Sequence, residues 1–480
     1  MFIGLDLGTS GLKALLMNDT GAVVAETSAP LIVERPHSGW SEQDPQSWIT
    51  ATLSTLSALG QKADLSGVTG IGLSGHMHGA VCLDANGTVL RPAILWNDTR
   101  SVNEAADMDA THPWRAISGN IVFPGFTAPK LEWMRRNEPD LFARTACILL
   151  PKDYLRYWLT GETVSEMSDA AGTSWLDVGA RDWSPDLLAA AGLSVDHMPR
   201  LVEGSEPSGT LRPQAASELG LPSGIVVAGG GGDNAASAVG VGAVTLGQAF
   251  VSLGTSGVLF AVTAKFSPDP ATAVHTFCHA VPNTWHQMGV ILSATDALNW
   301  YANLVDEPAA FLTSALGNEV RTPGRAMFLP YLGGERTPHN DAQVRAAMIG
   351  ITHDTDRAAG TQAVVEGVCF ALKDNLNALM ATGTRIDRLL AVGGGSLSDY
   401  WLSALASTLN LPIDRPVNGD FGGAFGAARL GQMAATGAGV EIAPPPPIAQ
   451  SFDPNPNLTS AFEDAHQRYT AAYTAIKELS

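Results

Sequence analysis

Cysteine is scarce in this chain. Cys82, Cys147, Cys278 and Cys369 stand far apart in 480 residues with no paired spacing, which excludes a disulfide framework or a zinc ribbon and predicts free thiols. Long hydrophobic runs are missing too. The apolar stretch from Gly224 to Val262 is broken by Asp233, Asn234 and Gln248, so no membrane span is expected. The opening Met1-Phe2-Ile3-Gly4-Leu5-Asp6 has neither a basic segment nor a cleavable apolar core, and a cytoplasmic protein is expected. Basic residues are outnumbered, 28 Lys and Arg against 47 Asp and Glu, for a formal net charge of −19. That balance argues against nucleic acid or an anionic membrane as partner. It would also repel a phosphorylated ligand at long range, so any phosphate site must bring its own local donors. No Gly-x-x-x-x-Gly-Lys-Ser/Thr occurs anywhere, which excludes a P-loop. His275, Cys278 and His279 sit at helical spacing like metal ligands, but no fourth partner stands near, and a structural pair is expected.

Glycine is abundant, with 50 residues, and clustered. Phe2 to Leu5, Leu12 to Met17 and Ala22 to Ala25 are short apolar runs separated by turn sequences, the pattern of a β-meander opening a mixed sheet. Asp44-Pro45 supplies a cap and a first-turn proline for a helix carrying Trp48, Ile49 and Leu53. Val68 to Leu73 is a further strand, ending at Ser74-Gly75-His76-Met77-His78-Gly79. Leu7-Gly8-Thr9-Ser10-Gly11 then recurs letter for letter as Leu253-Gly254-Thr255-Ser256-Gly257, again between two apolar runs. A duplicated domain explains the matched setting, with Asp6 in the first copy standing opposite Ser252 in the second. Helices are predicted over Ala358 to Leu379 and Asp399 to Leu409. Ala443 to Pro447 has the composition of a linker, and Ser460 with Glu463 forms a capping-box pattern for a C-terminal strut helix. The expected organisation is two α/β domains, 1–245 and 246–437, followed by a linker and helix in 438–480.

Glycine-rich turns hold phosphate through converging backbone N–H groups. Two Gly-Thr-Ser-Gly turns, one per half, suit a cleft gripping a phosphate chain from both sides, with the hydroxyls of Thr9, Ser10, Thr255 and Ser256 as added donors. Hairpin closure alone is the other reading of each turn. Asp6, just before the first turn, could hold Mg²⁺ beside the phosphates, or simply cap local backbone. Gly229-Gly230-Gly231-Gly232 leads into Asp233 and Asn234 after an apolar run. Such a run permits close backbone approach, and Asp233 is the candidate general base for a substrate hydroxyl; a plain N-cap is the alternative. Gly393-Gly394-Gly395-Ser396, ahead of a helix opening at Ser398 or Asp399, could receive a nucleotide base or ribose, and it fails as a dinucleotide-binding fingerprint. His76 and His78, alternate residues at a strand end, could both reach a cleft.

In this order the segments resemble the FGGY family of carbohydrate kinases, within the sugar kinase, hexokinase and actin superfamily. Asp6 to Gly11 and Ser252 to Gly257 resemble the family's two phosphate segments, and Gly393 to Ser396 its adenosine segment. Gly125-Phe126-Thr127-Ala128-Pro129-Lys130-Leu131-Glu132-Trp133-Met134, continuing to Arg136-Asn137, matches its first signature. The second is kept in part: Ala347 to Ile351 and Ala363 to Gly367 fit, whereas Ala359-Gly360 replace a polar and an apolar residue. Trp40 to Pro45, Met77 to Gly79, Trp96 to Asp98, Leu150 to Tyr154, Ser168 to Thr173 and Gly334 to His339 are similar to members that phosphorylate D-xylulose. His76 stands where many members have glutamine.

The resemblance implies an α/β fold of two ribonuclease-H-like domains flanking a central cleft. It implies ATP and Mg²⁺ as cofactors and a small sugar, D-xylulose, as acceptor. Met77, His78, Asp233 and Asn234 would contact the sugar, with Asp233 as catalytic base. Thr9, Ser10, Thr255, Ser256, Gly394, Gly395 and Ser398 would contact the nucleotide, and Asp6 the metal. A homodimer is compatible with it. A kinase for another ketopentose or polyol would use the same machinery, and an actin-like ATPase would share the fold and the phosphate turns.

Overall fold

The computed structural model describes residues 1–417 and 422–479. Two mixed sheets dominate it, each built on the same plan. In the first, Phe2–Leu7, Gly11–Met17 and Val23–Pro30 form the expected antiparallel meander, and Gly70–Gly75 and Val226–Ala228 add in parallel on the other side of Phe2–Leu7. In the second, Ala249–Leu253, Gly257–Thr263 and Trp285–Ile291 form the meander, with Leu389–Val392 and Ile413–Pro416 adding in parallel. Both sheets therefore run third–second–first–fourth–fifth, as ribonuclease-H-like domains do, and the repeated Leu-Gly-Thr-Ser-Gly marks the same first hairpin in each. The helix Pro45–Lys62 packs on Gly11–Met17 and Val23–Pro30 of the first meander, and Arg357–Ala381 on Trp285–Ile291 and Gly257–Thr263 of the second. The former helix begins as its sequence predicts, with the Asp44 carboxylate accepting from Gln46 N at 3.0 Å.

Two helices join the halves. Gly423–Thr436, from the second half of the chain, packs on the first sheet, while Asp233–Gly240 packs against it from the side. Ala238 of the latter helix and the following Val241 share a core with Phe250, Phe260 and Val262 of the second sheet. The Arg429 guanidinium donates to Val239 O at 2.9 Å and Gly240 O at 3.1 Å, fastening one helix to the end of the other.

Several expectations are corrected. His275 lies in a strand, His275–Cys278, with His279 just beyond it. Helical spacing is thus coincidental, and both rings bond to protein groups, His275 to Asn120 and His279 to Ala243 O. The strand before His76 ends at Gly75, and His78 has a φ of 70°, so the two histidines occupy a turn and not one strand face. The proline run is a packed strap: Pro444 O accepts from Arg429, Pro447 O accepts from Val417 N, and Pro445 crowds Gly242. The last helix is Thr459–Ile476, capped at Leu458 without a side-chain bond, so Ser460 lies inside the first turn and the capping box does not form. Its strut role fits its packing on Arg357–Ala381 and Asp399–Leu409. All four cysteines are free. Among the described residues no helix is long and apolar enough to cross a membrane.

Candidate active site

The chemistry-bearing residues gather where the parallel strands end, the usual place for a ligand in an open α/β sheet. Asp6 and Ser74 are register partners on adjacent strands, and the Ser74 hydroxyl donates to Asp6 Oδ1 at 2.8 Å. Gly423 opens its helix directly over this pair; a Cβ there would lie 2.5 Å from Ser74 Oγ and 2.8 Å from Asp6 Oδ1. Burial raises the Asp6 carboxyl above its ordinary value, opposed by the Ser74 bond and by Lys13.

Asp233 is the first residue of its helix, as the glycine run predicts. Asn234 donates to Asp233 Oδ1 from its backbone N at 2.7 Å and from Nδ2 at 2.9 Å, so Oδ2 stays outside both bonds. Burial is the main cause that pushes the Asp233 carboxyl up to about 6, and the nearby charge of Asp6 pushes the same way. Asp6 and Asp233, far apart in sequence, therefore share one electrostatic environment.

Met77 is wedged between two glycines: a Cβ on Gly232 would lie 2.9 Å from its sulfur, and one on Gly172 2.9 Å from its methyl. The His78 ring stacks on Phe126 at 4.4 Å, and its Nδ1 lies 2.7 Å from Gly172 O. Burial pushes this imidazole down to about 3. The ring is then neutral, Nδ1–H donates to the carbonyl, and Nε2 is left as an acceptor. His76 is buried edge-on to Trp48, 5.9 Å between centroids, and belongs to the packing behind the turn.

At the first Gly-Thr-Ser-Gly turn Gly8 N donates to Gly11 O at 2.9 Å, Thr9 Oγ1 accepts from Trp96 Nε1 at 2.9 Å, and Ser10 is exposed. Thr255 and Ser256 are exposed on the second turn, which is anchored by Thr295 donating twice to Gly254 O, at 2.9 Å from N and 2.8 Å from Oγ1. Gly393, at φ 88°, and Gly395 press against Leu253 at the end of the neighbouring strand, while Gly394 faces open space. Gly394, Gly395 and Ser398 line a cavity of about 610 Å³ with Thr295, Asn299 and Thr313. Ser398 also caps its helix, accepting from Trp401 N at 3.3 Å.

Some participants carry no readable signal. Thr295, Asn299 and Thr313 lie on ordinary helices that only the tertiary fold brings to the cavity. Lys130 sits within the first signature, yet its task appears only here: fully buried, it donates to His78 O and Gly125 O, each at 2.7 Å, and fixes the Met77–His78 turn. The departure at Ala359-Gly360 has a local reason. A Cβ on Gly360 would lie 2.0 Å from the Tyr301 hydroxyl, which donates to Arg357 O at 3.3 Å.

Comparison with known proteins agrees with this architecture. The N-terminal domain model of the FGGY family of carbohydrate kinases matches residues 1–240 and its C-terminal domain model residues 249–435. The chain is 47% identical to the xylulose kinase of Escherichia coli K12, covering 100% of both. Its fold superposes on a crystal structure of a xyloylose kinase from Brucella ovis with a TM-score of 0.98 at 58% identity, covering 100% of each chain. The xylulose kinase of Rhodospirillum rubrum gives 0.93 at 28%, covering 100% of this chain and 99% of that one. Domain models that together match residues 1–240 and 249–435, and a relative 47% identical over the whole of both chains, lead to one conclusion: the chain belongs to the FGGY family of carbohydrate kinases.

Proposed function

We propose that the protein transfers the γ-phosphoryl group of ATP to D-xylulose, giving D-xylulose 5-phosphate, in the cytoplasm. The observation that carries the choice of sugar is the 47% identity with a xylulose kinase over the whole of both chains. Asp233 Oδ2 accepts the hydrogen of the terminal hydroxyl and takes its proton late, as a loose phosphoryl-transfer transition state requires. Met77 and the acceptor Nε2 of His78 line the sugar, and Asn234 steadies the base. Thr9 and Ser10 on one side and Thr255 and Ser256 on the other hold the phosphate chain. Gly394, Gly395 and Ser398 face the adenosine. Closure of the two halves over the sugar expels water that would otherwise compete as acceptor.

Asp6 suits Mg²⁺. Among the described residues no cluster of three or more His, Cys, Asp or Glu could cage an ion. Mg²⁺ commonly takes one or two carboxylates together with phosphate oxygens and water. Asp6 would hold it, with Asp233 nearby, and the ion would neutralise charge on the phosphates.

ADP release with MgATP and a panel of D-xylulose, L-ribulose, D-ribulose, L-xylulose and glycerol, with a no-sugar blank, tests the assignment. The highest kcat/KM is expected for D-xylulose. Preference for another sugar would sink the substrate and keep the chemistry, and a sugar-independent rate without phosphorylated product would favour an ATPase.

Two further results are expected. Because the base works ionised and its carboxyl is held near 6, kcat/KM should fall about tenfold per pH unit below that value. An acid limb near pH 4 would contradict a desolvated base. Gly394→Val places a side chain in the nucleotide cavity, at a position where a Cβ meets nothing within 4 Å. KM for ATP should rise about tenfold or more, with KM for the sugar and the melting temperature nearly unchanged.

A further inference from the structure

Behind the cleft lies a charge cluster that the reaction does not touch. Lys152, Asp153 and Arg156 project from the helix Pro151–Thr160, Glu166 ends the strand Val164–Glu166, and Asp169 lies in the short helix that follows. All five side chains are fully buried. Lys152 Nζ lies 2.7 Å from Asp153, 3.3 Å from Glu166 and 3.1 Å from Asp169, and Arg156 lies 2.6 Å from Asp153. Burying so many charges stabilises little compared with well-packed apolar residues, so what the cluster holds in place is the better guide to its use.

The cluster reaches the glycine run twice, directly through Arg156 and through Ser168, which Glu166 holds. Arg156 donates to Val164 O at 2.6 Å through Nη1 and to Gly229 O through Nη2. The Ser168 hydroxyl is held by the Glu166 carboxylate at 2.9 Å and accepts from Gly232 N at 3.0 Å. Gly229 and Gly232 are the first and last residues of the run that delivers Asp233. Between them Gly230 has a φ of 77°, a conformation glycine adopts freely and does not by itself hold. Backbone bonds hold the run as well, from Gly229 N to Glu206 O at 2.9 Å and from Gly230 N to Gly204 O at 2.8 Å, and Gly231–Gly232 pair with Ser74–Gly75; the bonds from Arg156 and Ser168 are the side-chain ties, one at each end.

We propose that Arg156 and Ser168 are positioning residues for Asp233, clamping both ends of the glycine run so that the carboxylate meets the sugar hydroxyl at a fixed place. This rests on Asp233 being the base. The same helix end also abuts the sugar-side turn: a Cβ on Gly79 would lie 2.4 Å from Pro151, and one on Gly75 3.1 Å from Lys152 Cβ. One rigid body thus backs both the base and the Met77–His78 segment. Burial with two other carboxylates raises Asp169 well above its ordinary value.

Arg156→Lys keeps the charge facing Asp153 and loses the fork that reaches Gly229. In the full-length enzyme kcat for D-xylulose should fall about tenfold or more, the size of effect that small misplacement of a reacting group produces. KM for MgATP and for D-xylulose should stay within about twofold. Ser168→Ala removes one bond and should shift kcat the same way by a smaller factor. Leu379→Ala, in the far core, should lower the melting temperature and leave kcat alone. The deciding measurement places Arg156→Lys in an Asp233→Ala background. If Arg156 acts through Asp233, the residual rate should not fall further. An equal loss in both backgrounds, or wild-type kcat in the folded single variant, would overturn the proposal. Should Arg156→Lys not fold, Ser168→Ala in the same two backgrounds decides by the same criteria. Full turnover by Asp233→Ala alone would instead remove the base assignment, which is a separate failure.

Discussion

Asp233→Ala should reduce phosphoryl transfer to the sugar by about three orders of magnitude while leaving ATP binding within about twofold of wild type. General-base catalysis contributes typically ~10²–10⁴, and Asp233 is the carboxylate at the head of the helix that both halves of the molecule share. ATP binding should survive because the groups proposed to hold it are the two turns and the glycine segment at Gly394. Rapid-quench measurement of sugar phosphate, beside equilibrium binding of a nucleotide analogue, separates the two effects. Unchanged turnover would remove Asp233 from the chemistry, and lost nucleotide binding would assign it to the phosphate site.

The same carboxylate should cost stability. Its acid is raised in the fold to about 6 by burial and by the charge of Asp6. Stability is therefore fully present below the unfolded carboxyl value and is lost as pH rises through the folded one. Asp233→Asn removes that loss, so it should melt higher than wild type at pH 8, and the difference should shrink toward pH 4. A base kept desolvated for function at the expense of the fold behaves in this way.

Motifs were legible where a backbone conformation, and not a side-chain contact, does the work. The twin Gly-Thr-Ser-Gly turns, the glycine run before Asp233 and the Asp44-Pro45 helix start could be read because each is a local solution to a local geometry. Asp6 and Asp233 could each be singled out, but no local pattern says that their charges meet; the parallel pairing of both Phe2–Leu7 and Gly231–Gly232 with Gly70–Gly75 brings the two strand ends near one another. The Lys130 contact with His78 O joins residues far apart in sequence, and the cavity wall at Asn299 and Thr313 depends on how two amphipathic helices are turned. The histidines misled for a related reason. A spacing of four puts residues on one side of a helix and also on one side of a strand, so His275 and His279 could not report their own secondary structure.

Glycines hidden inside strands were the least legible feature, and the largest stability effect is expected from one of them. Gly4 and Gly72 sit mid-strand, where glycine ordinarily weakens a sheet. Here they admit the helix Gly423–Thr436: a Cβ on Gly72 would lie 1.7 Å from Ala427 O, and one on Gly4 1.8 Å from Ala424 O. Both clashes are with backbone, so no rotamer change relieves them. The helix would have to move off the sheet, taking Gly423 away from Asp6 and Ser74 and disturbing the Arg429 tie to the end of the Asp233 helix. Gly72→Ala should therefore cost about 3 kcal/mol or more and reduce activity with it. Gly60→Ala is the contrasting change: this glycine lies inside the helix Pro45–Lys62, and a Cβ there meets only Leu65 Cδ1 at an ordinary 3.6 Å. It should stabilise by about 0.5–1 kcal/mol through helix propensity and a more restricted unfolded chain. Urea unfolding of the two variants beside wild type decides the matter, since the same Gly-to-Ala change should have opposite signs at the two sites. Gly72→Ala within 1 kcal/mol of wild type would mean that the helix does not lie on the sheet as closely as described.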